Sequence, residues 1–226
     1  MTDNTQVTTT NTAAVVEQSL MAFGAGMSVQ NRVDAKTAFH YASIRANEKF
    51  NQEGESEAWF NEFLRNMGNC GWGTLRRSYE RESASGQSLT LGALAFKVIN
   101  TVGTALYSGP IGEAMSKLVG DALEKLGVVT EPQRLFKHNV MEKNSATVGL
   151  ASCIETSDGE VIMIMTAMTA NAAQRDLDTV AFEWSSSASE QYAGMAVLTF
   201  TSGLYLRDKV EERIREHLLA ALDYDI

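Results

Sequence analysis

Leu89-Thr-Leu-Gly-Ala-Leu-Ala-Phe-Lys-Val-Ile-Asn-Thr-Val-Gly-Thr-Ala-Leu-Tyr107 is a segment of helical length, apolar on nearly every side. It lies inside a run from Ser83 to Gly112 whose one charge is Lys97. A helix that is apolar all round must be buried, in a protein core or in lipid. This one is close to the minimum length that crosses a bilayer. Against crossing, Lys97 and Asn100 fall mid-helix, and Gly92 and Gly103 weaken it. Its small residues suit close packing in lipid, but equally packing on a sheet. Three fates are open: a core helix, a segment that enters a membrane on a trigger, or one wall of a partner-binding groove. The side chains that would make a membrane or partner contact are Leu91, Leu94, Phe96, Val98, Ile99, Val102, Leu106 and Tyr107.

The next segment favours the core. Ser108-Gly-Pro110 breaks the helix, and Pro110 suits the first position of another. That second arm, Ile111 to Leu126, is apolar on one face at Met115, Leu118, Val119, Ala122 and Leu126. Its other face carries Glu113, Lys117, Asp121, Glu124 and Lys125, too polar to span a bilayer. The run is therefore expected to form the central helix of a core, with membrane entry as a conditional role.

Upstream, Ala13 to Phe23 suggests a short apolar helix stopped by Gly24-Ala-Gly26. Helical spacing of Ala35, Ala38, Phe39, Ala42 and Ala46 predicts a helix from Asp34, as N-cap, to Phe50. A second amphipathic helix, Glu55 to Met67, carries Trp59, Phe60, Phe63, Leu64 and Met67 on one side. Trp72 to Tyr79 reads as a strand with Leu75 and Tyr79 inward.

From Gln133 the period changes to alternation. Strands are expected at Leu135–Lys143, Ala146–Thr156, Val161–Thr169, Thr179–Ser185 and Ala193–Thr201. Asp158-Gly159 supplies the positive φ of a hairpin turn. Val161-Ile-Met-Ile-Met165 is apolar at consecutive positions, as in a strand covered on both faces. An amphipathic helix, Tyr205 to Asp223, closes the chain, with charges from Arg207 to Glu216 on its outside. The expected class is α+β: a helical N-terminal half packed on an antiparallel sheet of about five to six strands, with a C-terminal amphipathic helix. Residues 1–12 read as a disordered polar arm and 13–226 as a single α+β domain.

Composition narrows the function. The chain has 226 residues, 44% of them hydrophobic, and a net charge of −9. Nucleic-acid binding needs a clustered basic surface, which an acidic chain lacks. Its one basic cluster, Arg76-Arg77, lies near Glu80 and Glu82 and reads as a solvated strand edge. Cys70 and Cys153 fit no metal or redox spacing and read as buried thiols; a disulfide between them would require export. The N-terminus lacks the basic and apolar regions of a Sec signal. Synthesis in a cytoplasm is expected, with release by another route if the protein acts outside.

No catalytic signature appears. His40, His138 and His217 have no histidine or cysteine partner at ligand spacing, so neither metal nor other cofactor is expected. Nucleophile-elbow, phosphate-loop and zinc-protease motifs are missing. Triads assemble from distant positions, so a pocket holding a histidine or carboxylate pair would revive an enzymatic role.

The segment Glu57-Ala-Trp-Phe-Asn-Glu-Phe-Leu-Arg-Asn-Met-Gly-Asn-Cys-Gly-Trp72, with Ala84-Ser-Gly86 ahead of an apolar helix and Phe182-Glu-Trp-Ser-Ser-Ser187, resembles an uncharacterised bacterial and fungal family of about this length. The resemblance runs from Asp34 onward, is carried by aromatic spacing, and implies an α+β fold with no activity or site attached. The general layout, helices over a sheet, is also similar to that of Cyt-type cytolytic toxins, although no motif carries the likeness and the element order differs. The expectation is a non-enzymatic, membrane-active protein of toxin or defence type, acting through homo-oligomerisation, with membrane lipid as partner. The alternative is a self-assembling scaffold or interaction module whose apolar surfaces stay packed.

Overall fold

In chain order, a computed structural model of the protein contains β1 (Thr12–Val16), β2 (Ser19–Phe23), α1 (Val29–Asn47), α2 (Ser56–Asn69) and β3 (Trp72–Glu82). Then come α3 (Pro110–Val128), β4 (Thr147–Glu155), β5 (Val161–Ala170), β6 (Gln191–Phe200), α4 (Arg207–His217) and β7 (Tyr224–Asp225). The structure describes residues 7–52, 54–82, 110–128, 131–132, 134–136, 147–170, 191–217 and 224–225. The Leu89–Tyr107 segment, with every candidate contact residue on it, and the expected strand at Thr179–Ser185 lie outside the described residues.

The strands form one sheet in the order β3-β6-β5-β4-β2-β1-β7. Every neighbouring pair is antiparallel except β2 and β4, which run parallel with Ser19 beside Gly149 and Phe23 beside Cys153. The α+β class stands, with one parallel junction inside an otherwise antiparallel sheet.

Alternation along the strands sorts their side chains into two cores. Ala14, Val16, Met21, Phe23, Ala151, Cys153, Met163, Met165 and Leu198 face α1, α2 and α4. Ala13, Val15, Leu20, Ala22, Val148, Leu150, Ile162, Ile164 and Val197 face α3 and Phe136. The result is three layers, helices on each face of the sheet.

Several expectations are corrected. Ala13–Phe23 is not a helix but the β1–β2 hairpin, because both of its faces are covered and the polar half of a strand's alternation is missing. Its turn places Glu17 at φ 54, an uncommon conformation for a residue with a Cβ. Helix α1 starts at Val29, not after Asp34: Ser28 is the N-cap, and its hydroxyl accepts from the Asn31 amide at 3.1 Å. Leu75 points outward, 53% exposed, because β3 bulges between Thr74 and Arg76. Tyr79, beyond the bulge, packs against the core as expected. Leu135 and Phe136 are helical rather than the start of a strand.

Candidate functional site

Val161 to Met168 of β5 are buried at every position, the side chains dividing between the two cores. β5 and β4 form a hairpin whose turn, Thr156 to Glu160, is closed by the Thr156 amide on the Glu160 carbonyl at 2.8 Å. Gly159 there takes φ 85, the conformation that the Asp-Gly pair was expected to supply. Among the described side chains, the buried hydroxyls of this pair of strands are bonded. Ser152 donates to the Met115 carbonyl at 3.2 Å, and Thr166 donates to the Gly194 carbonyl at 3.0 Å. Among the described residues the candidate site is thus a largely apolar hairpin, covered on both faces, with strands of 9 and 10 residues.

The two covering layers are fastened differently. On one side α1 is tied down along its length. The Ser28 amide and Asn31 side chain both donate to Glu155 Oε2 at 2.9 Å. Arg32 donates to Thr12 Oγ1 at 2.6 Å. Asp34, 1% exposed, receives a forked pair of bonds from Arg207, with Nε at 2.6 Å from Oδ1, and a third bond from Gln30. That fork joins α1 to α4 and raises the Arg207 pKa, chiefly through its bond to Asp34. Arg207 therefore does not belong with the solvated charges of the closing helix.

Farther along α1, His40 Nε2 lies 2.7 Å from Glu17 Oε1, both residues buried. The pair clamps the β1–β2 turn to the helix. General acid–base chemistry needs the group within reach of a substrate proton; both members here are sealed under the helix, which suits a clamp. Sequence reasoning missed the pair because it placed Glu17 inside a helix. The one available signal was the Glu17-Gln18 interruption between Val15-Val16 and Leu20-Met21.

Glu62 on α2 accepts from Lys49, just past the end of α1, at 3.1 Å, and from Arg65 on its own helix. The Arg65 bond, with help from Lys49 and Asn66, holds the Glu62 carboxyl at about 2. Asn47 Oδ1 also accepts from the Trp59 indole at 2.7 Å.

On the opposite face, the polar ties from α3 that the described residues hold are the Ser152 bond to Met115 and a bond from Lys125 Nζ to the Asn11 carbonyl at 3.3 Å. The rest is apolar contact of Met115, Leu118, Val119, Ala122 and Leu126 with the sheet.

Cys70 and Cys153 are free and buried. Burial pushes the Cys70 thiol up to about 12 and raises Cys153 as well, so both stay protonated and unreactive near neutrality. His138 lies outside the described residues. No helix among the described residues is long and apolar enough to cross a membrane.

No family model matches the chain, and no curated protein matches it. Similar solved structures include a delta-endotoxin, at 12% identity over 82% of this chain and 84% of that one, with a TM-score of 0.40. The Evf virulence factor is similar at 9% identity over 96% and 84% of the two chains, TM-score 0.34. The activated Cyt2Ba monomer from Bacillus thuringiensis subsp. israelensis is similar at 13% identity over 76% and 89%, TM-score 0.33. The likeness is one of layout alone.

Proposed function

We propose that this is a non-enzymatic, membrane-active protein of toxin or defence type, which acts through oligomerisation by presenting its apolar strands to lipid. One observation carries the proposal: β5 is buried without a break from Val161 to Met168, on both faces, in a hairpin of 9- and 10-residue strands. About 9–11 residues is what a tilted strand needs to cross the hydrocarbon layer. In water such a hairpin must stay covered, because each square ångström of exposed apolar surface costs about 25 cal/mol. In a bilayer the same surface is at home.

The uneven fastening of the layers supports a route. α3 is held mainly by apolar contact, which lipid replaces without loss. α1 is held by buried ion pairs and hydrogen bonds, which lipid does not replace. The α3 layer is the cover that leaves. It would uncover Val148, Leu150, Ile162, Ile164, Met168 and Val197 as the lipid-facing surface.

Release of a trapped dye from liposomes tests this. Leakage is expected in at least one condition between about pH 4 and 8, where carboxylates and histidines titrate, on anionic or zwitterionic vesicles, with or without proteolysis. No leakage in any of them overturns the proposal. A second reading, a scaffold whose apolar surfaces stay packed, is favoured by the long strand β3, whose outer edge is unpaired among the described residues; it expects no leakage and stable self-association.

A further inference from the structure

β3 is an 11-residue strand at the end of the sheet, and among the described residues nothing pairs with its outer edge. An open edge of that length is a template for another strand, and proteins usually blunt it with charges or bulges. The bulge here is confined to Thr74–Arg76, and from Arg76 onward the register with β6 is regular. The charges along the strand run Arg76, Arg77, Glu80, Arg81, Glu82, and the first three are exposed.

The faces on which they lie are fixed. Arg77 donates to Asn61 of α2 at 2.7 Å, and Tyr79 donates to Ser56 of α2 and packs on Phe60 at 5.9 Å between ring centres. Beyond the bulge, odd-numbered residues therefore face α2. By strand alternation Arg76, Ser78 and Glu80 face the other side.

We infer that this edge is a seam for a second copy of the chain, paired antiparallel about a two-fold axis through Ser78. In that register Arg76 of each copy stands opposite Glu80 of the other on one face. Arg77 stands opposite Tyr79 of the other copy on the second face, a cation over an aromatic ring. Directly opposed side chains are about 5 Å apart at Cβ, within reach of these contacts. A shift of two residues one way sets Arg77 against its own counterpart. The same shift the other way exchanges the Arg76–Glu80 pairs for Arg76 opposite Glu82, but sets Arg77 against Arg81 on the second face. Of these registers only the one about Ser78 pairs opposite charges without setting like charges against each other, as an isologous interface requires. The seam joins two sheets into one and gives a specific first step to the oligomerisation proposed above, on which it otherwise does not depend.

Light scattering coupled to size exclusion tests the seam. The wild type is expected at twice its 24.6 kDa mass at high concentration. Arg76→Glu alone and Glu80→Arg alone should each be monomeric, since each sets like charges opposite one another. The two single variants mixed in equal amounts should pair, as should the double variant R76E/E80R. Ser78→Cys should form a symmetric disulfide dimer on mild oxidation, a readout that does not depend on charge. A wild type that is monomeric at every concentration, an R76E variant that remains dimeric, or a mixture that fails to pair overturns the seam. Dye release on the same samples separates the two proposals, because a monomer that leaks overturns the seam and spares the membrane activity.

Discussion

Glu62 shows how far one carboxylate shapes this protein's response to acid. Arg65, Lys49 and Asn66 hold its pKa at about 2, below its ordinary value of 4.5. A carboxyl depressed in the folded state favours folding above its unfolded pKa, and that contribution is lost as pH falls toward the folded value. Loss is therefore expected between about pH 4.5 and 2. With Arg65 and Lys49 largely in solvent, screening limits the effect to about 1 kcal/mol. Glu62→Gln should flatten this part of the stability–pH curve in urea unfolding and leave the curve above pH 5 parallel to the wild type's. His40 is the opposite case, because its partner is buried with it. Removing one member of a buried pair typically costs about 3–5 kcal/mol. His40→Ala is expected to lose that much in urea unfolding, and the double variant E17A/H40A should recover part of it. A loss under 1 kcal/mol for H40A would show that the clamp contributes little.

At the scale of elements, Gly194 on β6 explains how α2 sits so close to the sheet. A methyl there would lie 2.9 Å from the Phe60 ring, a separation that side chains do not tolerate. Gly194→Ala is expected to destabilise by about 1–3 kcal/mol through overpacking, and Phe60→Leu in the same chain should relieve part of it. Elements with one clear periodic signal were legible. The α2 stripe of Trp59, Phe60, Phe63, Leu64 and Met67 is buried as its spacing indicated, and the Asp158-Gly159 turn lies between β4 and β5. The misread elements have specific physical causes. The β1–β2 hairpin is buried on both faces, so its residues show no alternation and only the covering layers reveal that they are strands. Leu75 was turned outward by a bulge that has no sequence marker. Asp34 looked like a cap because a short polar side chain ahead of a helical pattern usually is one; its partner, Arg207, is 173 residues away. The Glu17–His40 clamp was equally invisible, since it exists only once the hairpin has folded against α1.

At the scale of the whole molecule, the proposed function rests on the uneven fastening of the two helical layers among the described residues. A disulfide between Met115→Cys and Ser152→Cys, placed where Ser152 now bonds the Met115 carbonyl, would pin α3 to β4. The oxidised double variant is expected to lose dye release and regain it on reduction. Equal leakage in both states would mean that α3 stays in place while the protein acts. The parallel junction between β2 and β4 carries a further consequence, one of time. Phe23 is made 130 residues before Cys153, its neighbour in the sheet. At roughly 5–20 residues per second, a ribosome needs on the order of ten seconds to cover that distance. Throughout that interval the first hairpin, made of residues that end up buried on both sides, has no sheet to join. The newborn chain is most in need of a chaperone over β1 and β2, and a chain cut short before Thr147 lacks the strand that pairs with β2.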